Sequence, residues 1–264
     1  MHKGMGFIVL MVLVWGCARQ PQELEGGRWV DLSYDFSEAT IYWPTSDPFR
    51  LDTVFSGTTD QGFYYSAFKF CAAEHGGTHM DAPVHFAQGR RPVNEIPLEQ
   101  LMGPAVVVDV SEKALKDRDY RVSVPDLQDW EARHGPIPEG AIVLLRTGYG
   151  QFWPDREKYM GTAERGAQAV QKLHFPGLSP EAARWLVNNR TIDAIGLDTP
   201  SIDYGQSTNF ESHQILNGQN IPILENVANL DRLPPTGAWV IALPMKIRGG
   251  SGGPVRIVAR LPEG

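Results

Sequence analysis

The sequence predicts a single α/β domain. Short apolar runs of strand composition alternate with segments that carry helix start signals, and no linker interrupts residues 28–262. A length of 264 residues is common for one such domain. Trp29–Ser33 reads as the first strand, and Phe63–Ala73, aromatic and alternating, as another. Pro104–Val110 and Ala141–Leu145 are continuous apolar runs, the pattern of strands buried on both faces. Between them Ser123 opens a helix to about Arg133, with Asp126 suiting its positive end. Ser179-Pro180-Glu181 starts a second helix, with Ser as N-cap and Pro in the first turn; Ala182, Trp185, Leu186 and Val187 supply its apolar side. Ile192–Leu197 is a strand and Ser207–Leu216 a short helix. Trp239–Leu243 and Val255–Leu261 close the domain, joined through Gly249-Gly250-Ser251-Gly252-Gly253.

Composition excludes several classes. Hydrophobic residues at 42% and charged residues at 21% describe a soluble globular protein. A formal net charge of -7 argues against a nucleic-acid partner, which calls for a basic footprint. Two cysteines cannot build a disulfide scaffold or a Cys-rich zinc finger. Residues 1–16 read as a signal peptide: Lys3 precedes an apolar run from Phe7 to Trp15 that is too short for a bilayer span of roughly 20 residues. Leu13-Val14-Trp15-Gly16-Cys17 resembles a bacterial lipobox. That implies a lipid on Cys17, a tether over residues 17–27, and a domain over 28–264 held outside the cytoplasm, with the membrane touched only through the anchor. Plain secretion is the alternative. With Cys17 lipidated, Cys71 has no disulfide partner.

The chemistry is concentrated in His75-Gly-Gly-Thr-His79-Met-Asp81-Ala-Pro-Val-His85, which holds three of the seven histidines. Gly76-Gly77 and Pro83 argue against a helix, so a glycine turn leading into a short extended piece is expected. There His79 and Asp81, two apart, project to the same side, and the glycines let the backbone bend close around an ion. Imidazoles with a carboxylate suit Zn, Mn or Fe(II). Far along the chain lie His213, in the expected 207–216 helix, and Glu225, an acid in an apolar setting that requires a partner.

The run from His75 to Phe86 resembles the HxGTHxDxPxHF signature of the cyclase-like metal-dependent hydrolases, the family of bacterial kynurenine formamidase, isatin hydrolase and a lactone hydrolase. Asp198-Thr-Pro-Ser201-Ile-Asp203, His213 and Leu224-Glu225 follow as further landmarks of the family. The resemblance implies a single compact α/β domain built around a β-barrel-like mixed sheet with flanking helices, usually in homo-oligomers. It makes His75, His79, Asp81, His213 and Glu225 metal ligands and His85 the catalytic acid/base, and it places Trp43 at the substrate pocket. Three histidines and two carboxylates exceed the usual three protein ligands of a catalytic zinc. Two zinc ions sharing carboxylates, or one manganese, are the solutions.

The reaction so implied is attack of metal-activated water on the carbonyl of an aryl formamide or cyclic amide, with His85 moving the proton. A lactone or other ester, or a non-catalytic metal-containing surface binding protein, are the alternatives. Gly249–Gly253 also fits the G-x-S-x-G pattern of serine hydrolases, but a strand follows it and no Asp or His comes after Ser251, so it reads as a glycine loop lining the site. The other aromatics, Phe63, Tyr64, Tyr65, Phe152 and Trp153, read as core or rim packing. Arg146, Arg248 and Arg256 are candidates to clamp a substrate carboxylate.

Overall fold

The computed structural model describes residues 27–262. The expected signal peptide, Cys17 and all but the last residue of the tether lie outside them. The strands are β1 (Arg28–Asp31), β2 (Arg50–Thr58), β3 (Tyr64–Cys71), β4 (His79–Asp81), β5 (Met102–Asp109), β6 (Arg121–Val122), β7 (Ala141–Arg146), β8 (Gly177–Leu178), β9 (Ile192–Leu197), β10 (Ile223–Glu225), β11 (Ala238–Pro244) and β12 (Gly252–Leu261). The helices are α1 (Ser111–Ala114), α2 (Val124–His134), α3 (Arg156–Met160), α4 (Ala167–Val170), α5 (Pro180–Asn189) and α6 (Glu211–Gly218).

Seven strands close a mixed barrel in the order β12-β11-β5-β7-β9-β10-β4, with β4 returning to β12. The β5–β7, β7–β9 and β9–β10 pairs are parallel. The remaining pairs are antiparallel, and β1 runs alongside the C-terminal part of β12.

Both faces of this sheet are covered, which explains the continuous apolar runs in β5 and β7. Alternate residues serve different cores. Ala105 and Val107 of β5, Ile142 and Leu144 of β7, and Leu224 of β10 pack inside the barrel with Ile257 and Ala259 of β12. Val106, Val108, Val143 and Leu145 face outward and pack with Leu127 and Trp130 of α2 and with Ala182 and Leu186 of α5. The predicted caps hold these helices: Ser123 N–H donates to Asp126 Oδ2 at 2.8 Å, and Ser179 Oγ accepts from Ala182 N–H at 3.1 Å.

Three local readings need correction. The helix expected over Ser207–Leu216 begins at Glu211, because Ser207–Phe210 is a turn in which Ser207 Oγ accepts from Phe210 N–H. The last strand begins at Gly252 rather than Val255, since Gly252 and Gly253 pair with Asp81 and Met80 of β4 and close the barrel. Among the described residues the aromatic strand β3 pairs only with β2, a strand the sequence reading did not identify, and the two form a sheet separate from the barrel. Alternation predicts a strand but not which sheet receives it.

Candidate active site

The site is built on the outer face of the barrel where β4 meets β10. Met80 and Leu224 point into the barrel, so their neighbours His79, Asp81 and Glu225 point out. Register pairs Glu225 directly with His79. The helix α6 packs over this face and delivers His213 from its first turn, and a 3₁₀ turn begun by Pro83 carries His85. The structure thus brings all six His, Asp and Glu residues singled out in the sequence to one place, and all six line one cavity of about 230 Å³ together with Trp43.

Each of three imidazoles is anchored through one nitrogen and turns the other toward the carboxylates. His79 Nδ1 donates to Gly77 O at 2.9 Å. His213 Nδ1 donates to Asp203 Oδ2 at 2.7 Å. His75 Nε2 lies 2.9 Å from Ser251 Oγ. The free nitrogens converge: His75 Nδ1 is 2.7 Å from Asp81 Oδ1, and His213 Nε2 is 3.1 Å from Asp81 Oδ2 and 3.2 Å from Glu225 Oε1. His79 Nε2 faces Asp81 Oδ1 at 3.2 Å and Glu225 Oε2 at 3.5 Å, yet this buried atom makes no aligned hydrogen bond among the described residues. Imidazole nitrogens aimed at carboxylate oxygens are bridged either by a proton or by a metal ion between them.

This donor set fits a divalent ion of the zinc or manganese type. Two overlapping groups of potential ligands share Asp81, one with His75 and His85 and the other with His79 and Glu225.

Without an ion, protons take its role. Burial opposes charge on His213, but Asp203, Asp81 and Glu225 around it outweigh burial and raise it well above the ordinary imidazole value. His79 is raised in the same way: burial opposes its charge, and Asp81, then Glu225, outweigh burial. Burial favours the neutral form of Asp81, yet the surrounding imidazoles hold it well below the usual carboxylate range. Glu225 is raised, first by burial and then by the negative charge of Asp81. His85 behaves differently. Burial lowers it to about 4, and its ring stacks on His75 with centroids 3.8 Å apart.

The loop after β9 explains the Asp198–Asp203 landmark. Asp198 accepts from the backbone N–H groups of Thr147 and Gly148, tying the end of β7. Ile202 N–H donates to Glu225 Oε1 at 2.7 Å, and Asp203 anchors His213. The glycines after His75 also serve packing: a Cβ on Gly76 would sit 2.1 Å from the Tyr42 ring, and one on Gly77 (φ +57°) 2.8 Å from Phe36.

Trp43 lies on the cavity wall, with Phe86 and Phe210 completing an aromatic lining. Phe210, at the start of α6, has φ +50°, a conformation rare for a bulky residue. Phe86 closes the quoted signature but was given no role there, and Phe210 was not singled out, since no local signal for it exists. Asp203, Ser251 and Glu74 were also missed as supports, though Asp203 closes a quoted motif and Glu74 adjoins His75. The glycine loop expected to line the site does not reach the cavity wall; its Ser251 touches His75 from behind. Among the arginines, Arg146 pairs with Asp109 and Arg256 with Asp31, away from the cavity. Phe63, Tyr64 and Tyr65 belong to the hairpin and its turn, and Phe152 and Trp153 pack on a third core around Tyr159 and Phe175.

Known proteins are similar to this chain in sequence and in fold. The family model Cyclase, described as "Putative cyclase", matches residues 30–204. Isatin hydrolase of Roseibium aggregatum is 32% identical over 198 residues, 72% of this chain and 73% of that protein. Kynurenine formamidase of Bacillus cytotoxicus is 29% identical over 241 residues, 90% of this chain and 99% of that protein. The solved structure of isatin hydrolase A from Ralstonia solanacearum superposes with a TM-score of 0.81 at 34% identity, covering 89% of this chain and 92% of that one. The family match takes in Trp43 and the whole run from His75 to His85, while His213 and Glu225, beyond it, are added by the fold. The match spans well over half of the sequence, and this chain therefore belongs to the Cyclase family.

Proposed function

We propose that this protein is a metal-dependent hydrolase of cyclic aryl amides of the isatin type or of aryl formamides. The observation that carries the reading is the buried His79 Nε2, which faces two carboxylates with no aligned donor between them. His75, His79, Asp81, His213 and Glu225 would hold the ion, zinc (one or two) or manganese. Such an ion lowers the pKa of water and polarises a carbonyl. His85, neutral above about pH 4, takes a proton from the attacking water and returns it to the leaving nitrogen. Trp43, Phe86 and Phe210 offer flat faces to an aromatic ring. The isatin hydrolase and kynurenine formamidase relatives support an amide substrate.

The test is hydrolysis of isatin, N-formylkynurenine and an unsaturated lactone by chelated protein, before and after zinc or manganese is restored. Amide turnover returning with metal is the expected result. Full activity after chelation overturns the metal assignment. Preference for the lactone moves the protein to the ester hydrolases, and ligand binding without turnover makes it a binding protein.

The chain also acts, in this reading, as a homo-oligomer. An isolated two-stranded hairpin is marginal in water, yet β2–β3 exposes Val54 and Tyr64, each 68% accessible, along with Leu51, Phe68 and Phe70. An apolar surface of this kind marks an interface. The hairpin is inserted in the sequence between the cavity residues Trp43 and His75. The signal peptide, lipidation of Cys17 and an extracytoplasmic location rest on the sequence of residues 1–17. No helix among the described residues is long and apolar enough to cross a membrane.

A further inference from the structure

We propose that Glu74 and Ser251 act as a positioning pair that fixes the tautomer of His75, so that its Nδ1 lone pair is presented to the ion. This rests on the metal-dependent reading above and extends it to two residues outside the ligand set. Ser251 Oγ lies 2.5 Å from Glu74 Oε2 and 2.9 Å from His75 Nε2. A hydroxyl has one proton, and an ionised carboxylate can only accept. The Ser251 proton therefore goes to Glu74, and the oxygen is left to accept from His75 Nε2–H. The N–H of Ser251 also donates to Glu74 Oε2, at 3.1 Å, which holds the serine in register.

With Nε2 protonated, the nitrogen that can bind an ion is Nδ1, the one 2.7 Å from Asp81 Oδ1. Direction is thus imposed on the chain by Glu74, because a carboxylate cannot donate. His79 and His213 obtain the same result from the acceptors Gly77 O and Asp203, and His75 obtains it through a serine. The loop is shaped for this contact: a Cβ on Gly252 would sit 2.7 Å from His75 Cε1, and one on Gly250 2.7 Å from Glu74 Oε1.

Two variants separate direction from packing. Glu74→Gln keeps size and one acceptor but adds a donor that can point at Ser251 Oγ and reverse the chain. Ser251→Ala removes the acceptor for Nε2–H. The measurements are the zinc dissociation constant by chelator competition and the imidazole ¹⁵N shifts of the zinc-loaded full-length protein. Wild type is expected to show His75 protonated at Nε2 and zinc-bound at Nδ1. Outer-sphere partners of ligand histidines are worth about ten- to a hundredfold in affinity, so both variants should weaken zinc within that range and shift the His75 Nε2 signal. Unchanged affinity and ¹⁵N shifts in both variants, with wild type binding zinc, would overturn the positioning role while leaving the metal reading intact. Zinc bound through Nε2 in wild type would do the same. A wild type that binds neither zinc nor manganese takes down both.

Discussion

Single side chains decide between ligand and catalyst at this site. His85 is close enough to His75 and Asp81 to be counted with them as a potential ligand. Burial nevertheless keeps it neutral, and its ring stacks on His75 rather than being anchored like the other three. As an acid/base it should lose about 10²- to 10⁴-fold in turnover on His85→Ala while bound metal per chain, read by mass spectrometry, stays at the wild-type level. Loss of metal would make it a ligand. Phe210 tests the aromatic wall. Its backbone at φ +50° costs on the order of 1–3 kcal/mol, a strain that places the ring between Trp43, Phe86 and His213. Phe210→Gly relieves that strain and removes the ring, so KM for an aryl amide should rise about tenfold, as loss of one aromatic contact implies, with the melting temperature held. An unchanged KM would remove Phe210 from substrate binding.

Elements explain what the sequence made legible. His79 and Asp81 could be placed on one side of a strand because alternation in β4 is a local property, and the N-caps of α2 and α5 were legible because they act within one turn. The convergence of His213 and Glu225 on them was not local. It depends on the register of β10 with β4 and on α6 packing across both, and only the resemblance to known hydrolases supplied it. Phe210 carried no signal because its role comes from a backbone conformation. The hairpin shows the converse case, since its alternating aromatics predicted a strand while its isolation from the barrel was invisible. At this scale the oligomer can be tested. Phe68→Glu with Phe70→Glu places charge on the exposed ribbon, at residues that do not line the cavity. Light scattering should show wild type as an oligomer and the variant shifted toward monomer, with a cooperative melt retained. A monomeric wild type would leave the hairpin without its proposed partner.

Across the whole molecule, ion binding, protonation and stability are linked, and the sign follows from the site. In the metal-free fold His79 and His213 are raised above their ordinary value, so their stabilising effect is fully present below about pH 6.5 and is lost as pH rises through the raised values. Glu225, also raised, works in the same direction above its usual range. Asp81, depressed, contributes above the ordinary carboxylate value and loses that contribution only in strong acid. His85, lowered, works against this only below about pH 6.5, one group against three, so metal-free protein should melt at a higher temperature at pH 6 than at pH 8. An ion competes with those protons, so its effect runs the other way. At a free concentration a hundredfold over the dissociation constant it adds about 2.7 kcal/mol, or a rise of roughly 5–10 °C for a domain of this size. The rise at fixed zinc should be larger at pH 8 than at pH 6, and calorimetry in buffers of different ionisation enthalpy should record protons released on binding. Equal shifts at both pH values, with no protons released, would mean that the ion binds elsewhere than between these imidazoles and carboxylates.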